Sequence, residues 1–304
     1  MGLESDLLID RRRLKRRLAL WRGFAVLLVV GAALLWAGRA EELPVVGAGH
    51  VARLTVDGFI GDDRKLHEAI DGLSRDGAVR AVIVAIDSPG GSVGGGEALH
   101  AALLRLRADK PVVAVMRGTA ASAGYMTAVA AERIFAREST ITGSIGVLLQ
   151  TVDASGLLNQ LGVRGDAIIS GPLKNQPSPL QPLSPEGRAA LQAVVDDMHS
   201  QFVAKVVAGR QMPEDQVRAL ADGRVLTGRQ ALAAGLVDAI GGEPEARAWL
   251  ATEKQVPAAL LVRDLDIRSL GQRVIGATFG GLVKTLVSEW LGVDGLGPLW
   301  QFRS

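Results

Sequence analysis

Ser122 is the residue of this sequence best placed for nucleophilic chemistry. It stands between an apolar run, residues 112–116, and an Ala-rich segment, residues 122–131, that is predicted to be a helix. A hydroxyl at a helix N-terminus lies beside unpaired backbone N–H groups, which favour negative charge. The neighbours of Ser122 are almost all Gly or Ala, so another stretch of backbone can approach it closely. The pattern fits a nucleophilic serine, and it also fits a serine that only caps a helix.

A nucleophilic serine needs a base, and the residues leave two types of base open. Histidine is the usual one, and the chain has four, His50, His67, His100 and His199. Only His199 follows Ser122 in the sequence, and it falls inside a predicted helix. A lysine can serve instead if it is neutral, which requires its removal from water. Lys174 is the only lysine between Lys110 and Lys205 and stands in a proline-rich loop, where a solvated lysine is the plainer alternative.

An acyl-transfer site also needs N–H donors for the oxyanion that forms during attack. The N–H of Ser122 is one candidate, and Pro89-Gly90-Gly91 presents another. That triplet follows a continuous apolar run, residues 81–86, which is typical of a parallel strand buried on both faces. Sites in α/β sheets lie at such carboxyl ends, although an ordinary turn explains the same triplet. No Lys-Ser or Lys-Thr pair follows the glycines, so a phosphate-binding loop is excluded.

The elements that must position these residues are predicted to alternate between strand and helix. An alternating segment at 51–56 and apolar runs at 81–86 and 112–116 predict strands, and helices are predicted between them and after the third. This alternation indicates an α/β fold with crossover connections. Further along, the pattern predicts strands at 133–136, 163–169, 236–240 and 260–262 and helices at 153–161, 184–208 and 227–234.

Composition narrows the chemistry of the 304-residue chain. The absence of cysteine excludes disulfides, thiol catalysis and Cys-based metal sites. With only four histidines, we expect no His-rich metal site. We also expect no cofactor. The formal net charge of +2 gives no general attraction to nucleic acid, so no nucleic-acid partner is expected.

The N-terminal region is predicted to anchor the chain in a membrane. A basic segment, residues 1–17, precedes a predicted transmembrane helix at 18–40, whose residues 23–38 carry no charge. Basic residues stay on the cytoplasmic side, so the rest of the chain would lie outside the bacterial inner membrane, in the periplasm or beyond. A cleaved signal peptide is the alternative, because small residues stand at 38 and 40. Residues 41–50 form a polar linker.

Five blocks of the sequence resemble, in order, those of the short bacterial form of the S49 serine peptidases, the signal peptide peptidase A family. The blocks lie at residues 87–91, 118–125, 142–147, 170–174 and 221–238. Any one block is weak evidence for the resemblance, whereas five blocks in order over residues 50–250 are specific evidence for it. The catalytic domain is therefore assigned to residues 51–250. Residues 251–304 form a C-terminal extension, whose apolar face at 268–291 suits packing or an oligomer contact.

The resemblance implies a ClpP/crotonase-like α/β fold and a Ser–Lys dyad, with Ser122 as nucleophile and Lys174 as general base. It implies that the N–H groups of Gly91 and Ser122 form the oxyanion hole and that Ser144 orients the lysine. We expect Lys174 to be buried, because a neutral amine is favoured out of water. The family commonly has Gly where this chain has Ala123.

The resemblance also implies a substrate and an assembly. Members of the family degrade signal peptides after their release from preproteins, with a cleft suited to small and apolar side chains. The short forms are membrane-anchored homo-oligomers shaped as a ring or dome, for which an octamer is one expectation. Three alternatives stay open: another S49-type peptidase that acts on a membrane protein, a ClpP-like Ser-His-Asp peptidase, and a crotonase-type acyl-CoA enzyme or inactive scaffold.

Overall fold

The computed structural model describes residues 21, 22, 28 and 49–265. The chain divides into two compact units, residues 1–48 and residues 49–304. Most of the predicted anchor at 18–40, and the whole apolar face at 268–291, lie outside the described residues. Among those that are described, no helix combines the length and the apolar character needed to cross a membrane.

An eight-stranded sheet forms the centre of the second unit. Its strands are β1 (His50–Ile60), β2 (Val79–Gly91), β3 (Val112–Ala121), β4 (Arg133–Ala136), β5 (Ile141–Gly143), β6 (Val225–Thr227), β7 (Ala239–Ile240) and β8 (Val262–Asp264). They are hydrogen-bonded in the order β6-β5-β3-β2-β1-β8, and β4 joins β3 to β7. All these pairs are parallel except β5–β6. The carboxyl ends of β1, β2 and β3 therefore meet at one edge.

Eight described helices connect and cover the strands. They are α1 (Arg64–Arg75), α2 (Val93–Asp109), α3 (Ala123–Ala128), α4 (Ser155–Gln160), α5 (Pro185–Arg210), α6 (Glu214–Leu220), α7 (Gly228–Ala233) and α8 (Glu243–Lys254). Ser184, the first residue of the helix predicted at 184–208, caps α5 by accepting a hydrogen bond from the N–H of Gly187, and Pro185 follows it at the first helical position. The α/β alternation predicted from the apolar runs is confirmed.

Strand β2 is buried on both faces, as a parallel strand between two helical layers should be. Val82, Val84 and Ile86 belong to the larger core cluster, together with side chains of α1, α2, α3 and α5. Ala81 and Ile83 point to the other face, into a smaller cluster with α8. Neither cluster includes residues 87–91, which form the carboxyl end of the strand.

The strand predicted at 163–169 is wrong. The backbone there is irregular, and Val163, Ile168 and Ile169 are exposed. A strand needs a neighbour for its backbone groups, and none of the described strands pairs with residues 163–169. The apolar residues in this segment therefore do not reflect strand pairing.

Two glycines provide a test of the packing around the sheet. A Cβ at Gly228 would lie 2.0 Å from the carbonyl oxygen of Arg137, whereas a Cβ at Gly72, inside α1, would meet nothing within 4 Å. We expect Gly228→Ala to lower the free energy of unfolding by about 1–3 kcal/mol through overpacking. Gly72→Ala should raise it by about 0.5–1 kcal/mol. Chemical unfolding of the full chain in detergent measures both, and equal effects would contradict the packing described.

Candidate active site

Ser122 occupies a strained turn between β3 and α3. Its φ is 52° and its ψ is −119°, in a region that residues other than glycine rarely adopt. The side chain makes no capping hydrogen bond and is half-buried. Such strain costs about 1–3 kcal/mol and persists only where the surroundings enforce it. The structure therefore does not support the view that Ser122 merely caps a helix.

The glycines at the end of β2 approach Ser122 directly. A Cβ at Gly90, whose φ is 127°, would lie 2.9 Å from Ser122 Cβ and 3.3 Å from its Oγ. The N–H of Ser92 donates to Ile60 O at 2.9 Å. Gly90 and Gly91 pair with Phe59 and Ile60 of β1, so the end of β2 is held between β1 and the Ser122 turn.

The other predicted donor is engaged in this conformation. The N–H of Ser122 donates to Gly143 O at 3.0 Å, next to the register pair Ala121–Gly143 of β3 and β5. The N–H of Ala123, at the first position of α3, has no acceptor within its helix. Ala123 is thus a further candidate oxyanion donor beside Ser122, a role that was not assigned to it from the sequence. Its position just after the serine was the only signal that could have indicated it.

Two polar side chains fix the loop that carries the glycines. Ser88 is fully buried; its hydroxyl donates to Gly58 O at 2.6 Å and accepts from the N–H of Gly90 at 3.1 Å. The carboxylate of Asp87 accepts from the N–H of Thr119 at 2.9 Å. These bonds tie the end of β2 to β1 and β3, which fixes the donor loop relative to Ser122. Neither residue was assigned a role from the sequence.

The structure brings Ser144 near Ser122 but leaves Lys174 in water. Ser144 directly follows Gly143, the acceptor of the Ser122 N–H, and has a positive φ of 48°. Lys174 is exposed, and no described residue hydrogen-bonds or ion-pairs with its Nζ. The expectation of a buried Lys174 is therefore wrong for the single chain. Prolines keep this loop out of regular structure, but they do not bury the lysine side chain.

The histidines give no support to a Ser-His arrangement. Within the described part of the chain, no histidine side chain hydrogen-bonds to Ser122. His100, on α2, is 6% exposed, and burial together with the charges of Lys205 and Arg107 lowers its pKa to about 4. It is a neutral core residue at physiological pH. The same part of the chain contains no cluster of three or more metal-ligating side chains.

An α/β fold with a strained serine at a strand-to-helix turn suits a serine peptidase, and comparisons with known proteins give the family. The profile of peptidase family S49 matches residues 105–257, and that of Clp protease matches residues 66–142. A protein named as a protease in Synechocystis is 40% identical over 237 residues, which cover 73% of this chain and 84% of that protein. A protein named as signal peptide peptidase SppA in Enterococcus faecium is 34% identical over 238 residues, 73% of this chain and 69% of that protein.

The chain belongs to peptidase family S49. The Clp protease match and the parallel sheet agree with the predicted ClpP/crotonase-like α/β fold. Among solved structures, a membrane-bound stomatin-specific protease aligns with a TM-score of 0.49 and 16% identity, covering 72% of this chain and 99% of that one.

The contact between Gly90 and Ser122 can be tested with a matched pair of glycines. Gly90→Ala forces a Cβ against Ser122 and strains a backbone with φ 127°, whereas a Cβ at Gly94, in the first turn of α2, meets nothing within 4 Å. We expect Gly90→Ala to lower kcat/KM for peptide hydrolysis by about a hundredfold, because a small displacement misaligns attack. Gly94→Ala should keep wild-type kinetics. Equal kinetics for both variants would contradict the close approach.

Buried His100 makes a prediction about acid stability. Its pKa of about 4 lies below the ordinary 6.5, so between these pH values the unfolded chain binds a proton that the native chain does not. Stability should therefore fall as the pH drops from 6.5 towards 4, by up to about 3 kcal/mol from this residue. Unfolding curves at pH 7 and pH 4.5 should differ less for His100→Gln than for wild type. An unchanged difference would show that other groups set the acid sensitivity.

Proposed function

We propose that this chain is a membrane-anchored serine endopeptidase that degrades cleaved signal peptides, with Ser122 as nucleophile and Lys174 as general base. The observation that carries the proposal is the strained Ser122 turn held against Gly90 in a chain of family S49. The name of the Enterococcus faecium relative supports the substrate class. The basic and apolar segments at 1–40 support an anchor in the bacterial inner membrane, with the catalytic unit on the extracytoplasmic side.

The proposed reaction is acyl transfer in two stages. Ser122 Oγ attacks the scissile carbonyl while neutral Lys174 takes its proton, and Ser144 orients the amine. The oxyanion accepts hydrogen bonds from Gly91 N–H and from the Ser122 N–H once Gly143 releases it, or from Ala123 N–H in its place. The protonated lysine then gives its proton to the leaving amine. Water, deprotonated by the same lysine, then attacks the acyl-enzyme, and the lysine returns that proton to Ser122 Oγ as the second product leaves.

If a second copy of the chain packed over the loop of Lys174, the amine would be removed from water and could act as the general base. The segment around it, residues 148–180, exposes an unusual amount of apolar surface, which is typical of an interaction site. Its exposed apolar residues are Leu148, Leu149, Val152, Leu157, Leu161, Val163, Ile168, Ile169, Leu173 and Leu180. Burial of this segment in a homo-oligomer, such as the octameric ring, would remove water from Lys174 and favour its neutral form.

The first experiment is hydrolysis of an apolar signal-sequence peptide by the full chain in detergent. We expect Ser122→Ala and Lys174→Ala to lose about a thousandfold or more in kcat/KM. Lys65→Ala, which removes another exposed lysine in α1, should keep wild-type activity. Full activity in Lys174→Ala would show that the base is elsewhere. If wild type spares the peptide but cuts a membrane protein, the chain is a different kind of S49 peptidase.

Mixing the two inactive variants tests where the dyad assembles. If Ser122 of one copy works with Lys174 of a neighbour, co-refolded Ser122→Ala and Lys174→Ala subunits should recover part of the wild-type rate. If each chain supplies its own pair, the mixture stays inactive at every ratio. Circular dichroism and sedimentation of each variant confirm that folding and assembly are intact.

A further inference from the structure

The last of the five sequence blocks ends in Gly235-Leu236-Val237-Asp238, which has no part in the reaction as proposed. This 235–238 turn follows α7 and leads to β7. The N–H of Asp238 donates to Ile134 O at 3.0 Å, and the N–H of Ile134 donates back to the Asp238 carboxylate at 2.7 Å. Leu236 and Val237 are buried in the larger core. The turn is therefore a rigid part of the sheet edge.

Arg210, the last residue of α5, clamps this turn at both ends. Its two terminal nitrogens donate to the two carboxylate oxygens of Asp238 at 2.7 and 2.9 Å, and its Nε donates to Gly235 O at 3.0 Å. The side chains are 9% and 23% exposed. Burial alone would raise the pKa of Asp238, but the hydrogen bonds and the charge of Arg210 lower it. The pair therefore stays ionised, and its bidentate geometry restricts the turn to one arrangement.

Tyr125 connects the turn to the nucleophile. It lies three residues after Ser122, is fully buried, and donates its hydroxyl to Leu236 O at 2.9 Å. Burial raises the pKa of this hydroxyl, so it remains a donor. Helix α3 has only six residues and begins at a strained serine, so its own hydrogen bonds hold it weakly. The bond to Leu236 links this helix to a part of the chain 111 residues away.

We propose that the 235–238 turn is a positioning device for the nucleophile. Clamped by Arg210, the turn fixes α3 through the Tyr125 hydroxyl and so keeps Ser122 in its attacking conformation. The inference rests on the proposed role of Ser122. Tyr125, Arg210 and Asp238 act through Ser122 and are positioning residues.

The experiment compares two buried hydroxyls on the same short helix. Thr127 Oγ1 donates only within the helix, to Ala123 O at 2.8 Å, so Thr127→Val removes a buried hydroxyl without touching the turn. We expect Tyr125→Phe to lower kcat by about ten- to a hundredfold, because the nucleophile is misplaced. KM should stay within about twofold, because substrate binding is not changed. Thr127→Val should leave both constants at wild-type values in the full chain.

A second readout separates positioning from a loss of fold. Acylation of Ser122 by a small activated ester, which fills no peptide subsites, should slow by the same factor as kcat in Tyr125→Phe. Asp238→Asn should slow it too, and the double variant should cost no more than the more harmful single change, because both act on one linkage. Chemical unfolding should show comparable stability for Tyr125→Phe and Thr127→Val.

The outcomes distinguish this inference from the proposed function. If Ser122→Ala is inactive while Tyr125→Phe behaves like Thr127→Val, the positioning role is overturned and the nucleophile stands. If the effects of Tyr125→Phe and Asp238→Asn simply multiply, the two residues act independently and the linkage is overturned. Activity retained in Ser122→Ala overturns the proposed function itself.

Discussion

The positive φ of Ser122 is the constraint on which the rest of the candidate site depends. A serine held in this conformation needs a neighbouring residue without a side chain and an acceptor for its N–H. It also needs the helix that follows it to be fixed in position. Gly90 supplies the first, Gly143 the second, and the buried packing of α3 the third. Each comes from a different strand or helix, so the folded sheet is what maintains the strain.

The sheet explains how residues so far apart meet. Parallel strands place their carboxyl ends at one edge, and β2 lies between β1 and β3. The donor loop after β2 therefore lies beside the serine after β3, and β5 brings Gly143 and Ser144 to its other side. The loop with Lys174 belongs to no strand, so nothing in the sheet fixes it near the serine.

Sequence alone could predict what depends on local pattern. The buried strands, the cap at Ser184 and the glycines beside a serine all follow from residue type and spacing. It could not predict which N–H groups are free, because the bond from Ser122 to Gly143 depends on strand register. The sequence pattern predicted a strand at 163–169 because apolar residues give the same pattern whether they are buried or exposed. Only the fold shows which of the two applies. The burial expected for Lys174 failed because sequence pattern does not show what packs over a loop, and Lys174 is exposed in the folded chain.

Tyr125 has a further use, because it is the only tyrosine in the chain. Its phenol is buried in the core three residues after Ser122, and burial opposes its ionisation. Phenolate absorbance in mild alkali would therefore arise only from molecules in which α3 has come away from the core. The protein thus carries an intrinsic optical reporter of whether α3 is in place, one that requires neither label nor substrate.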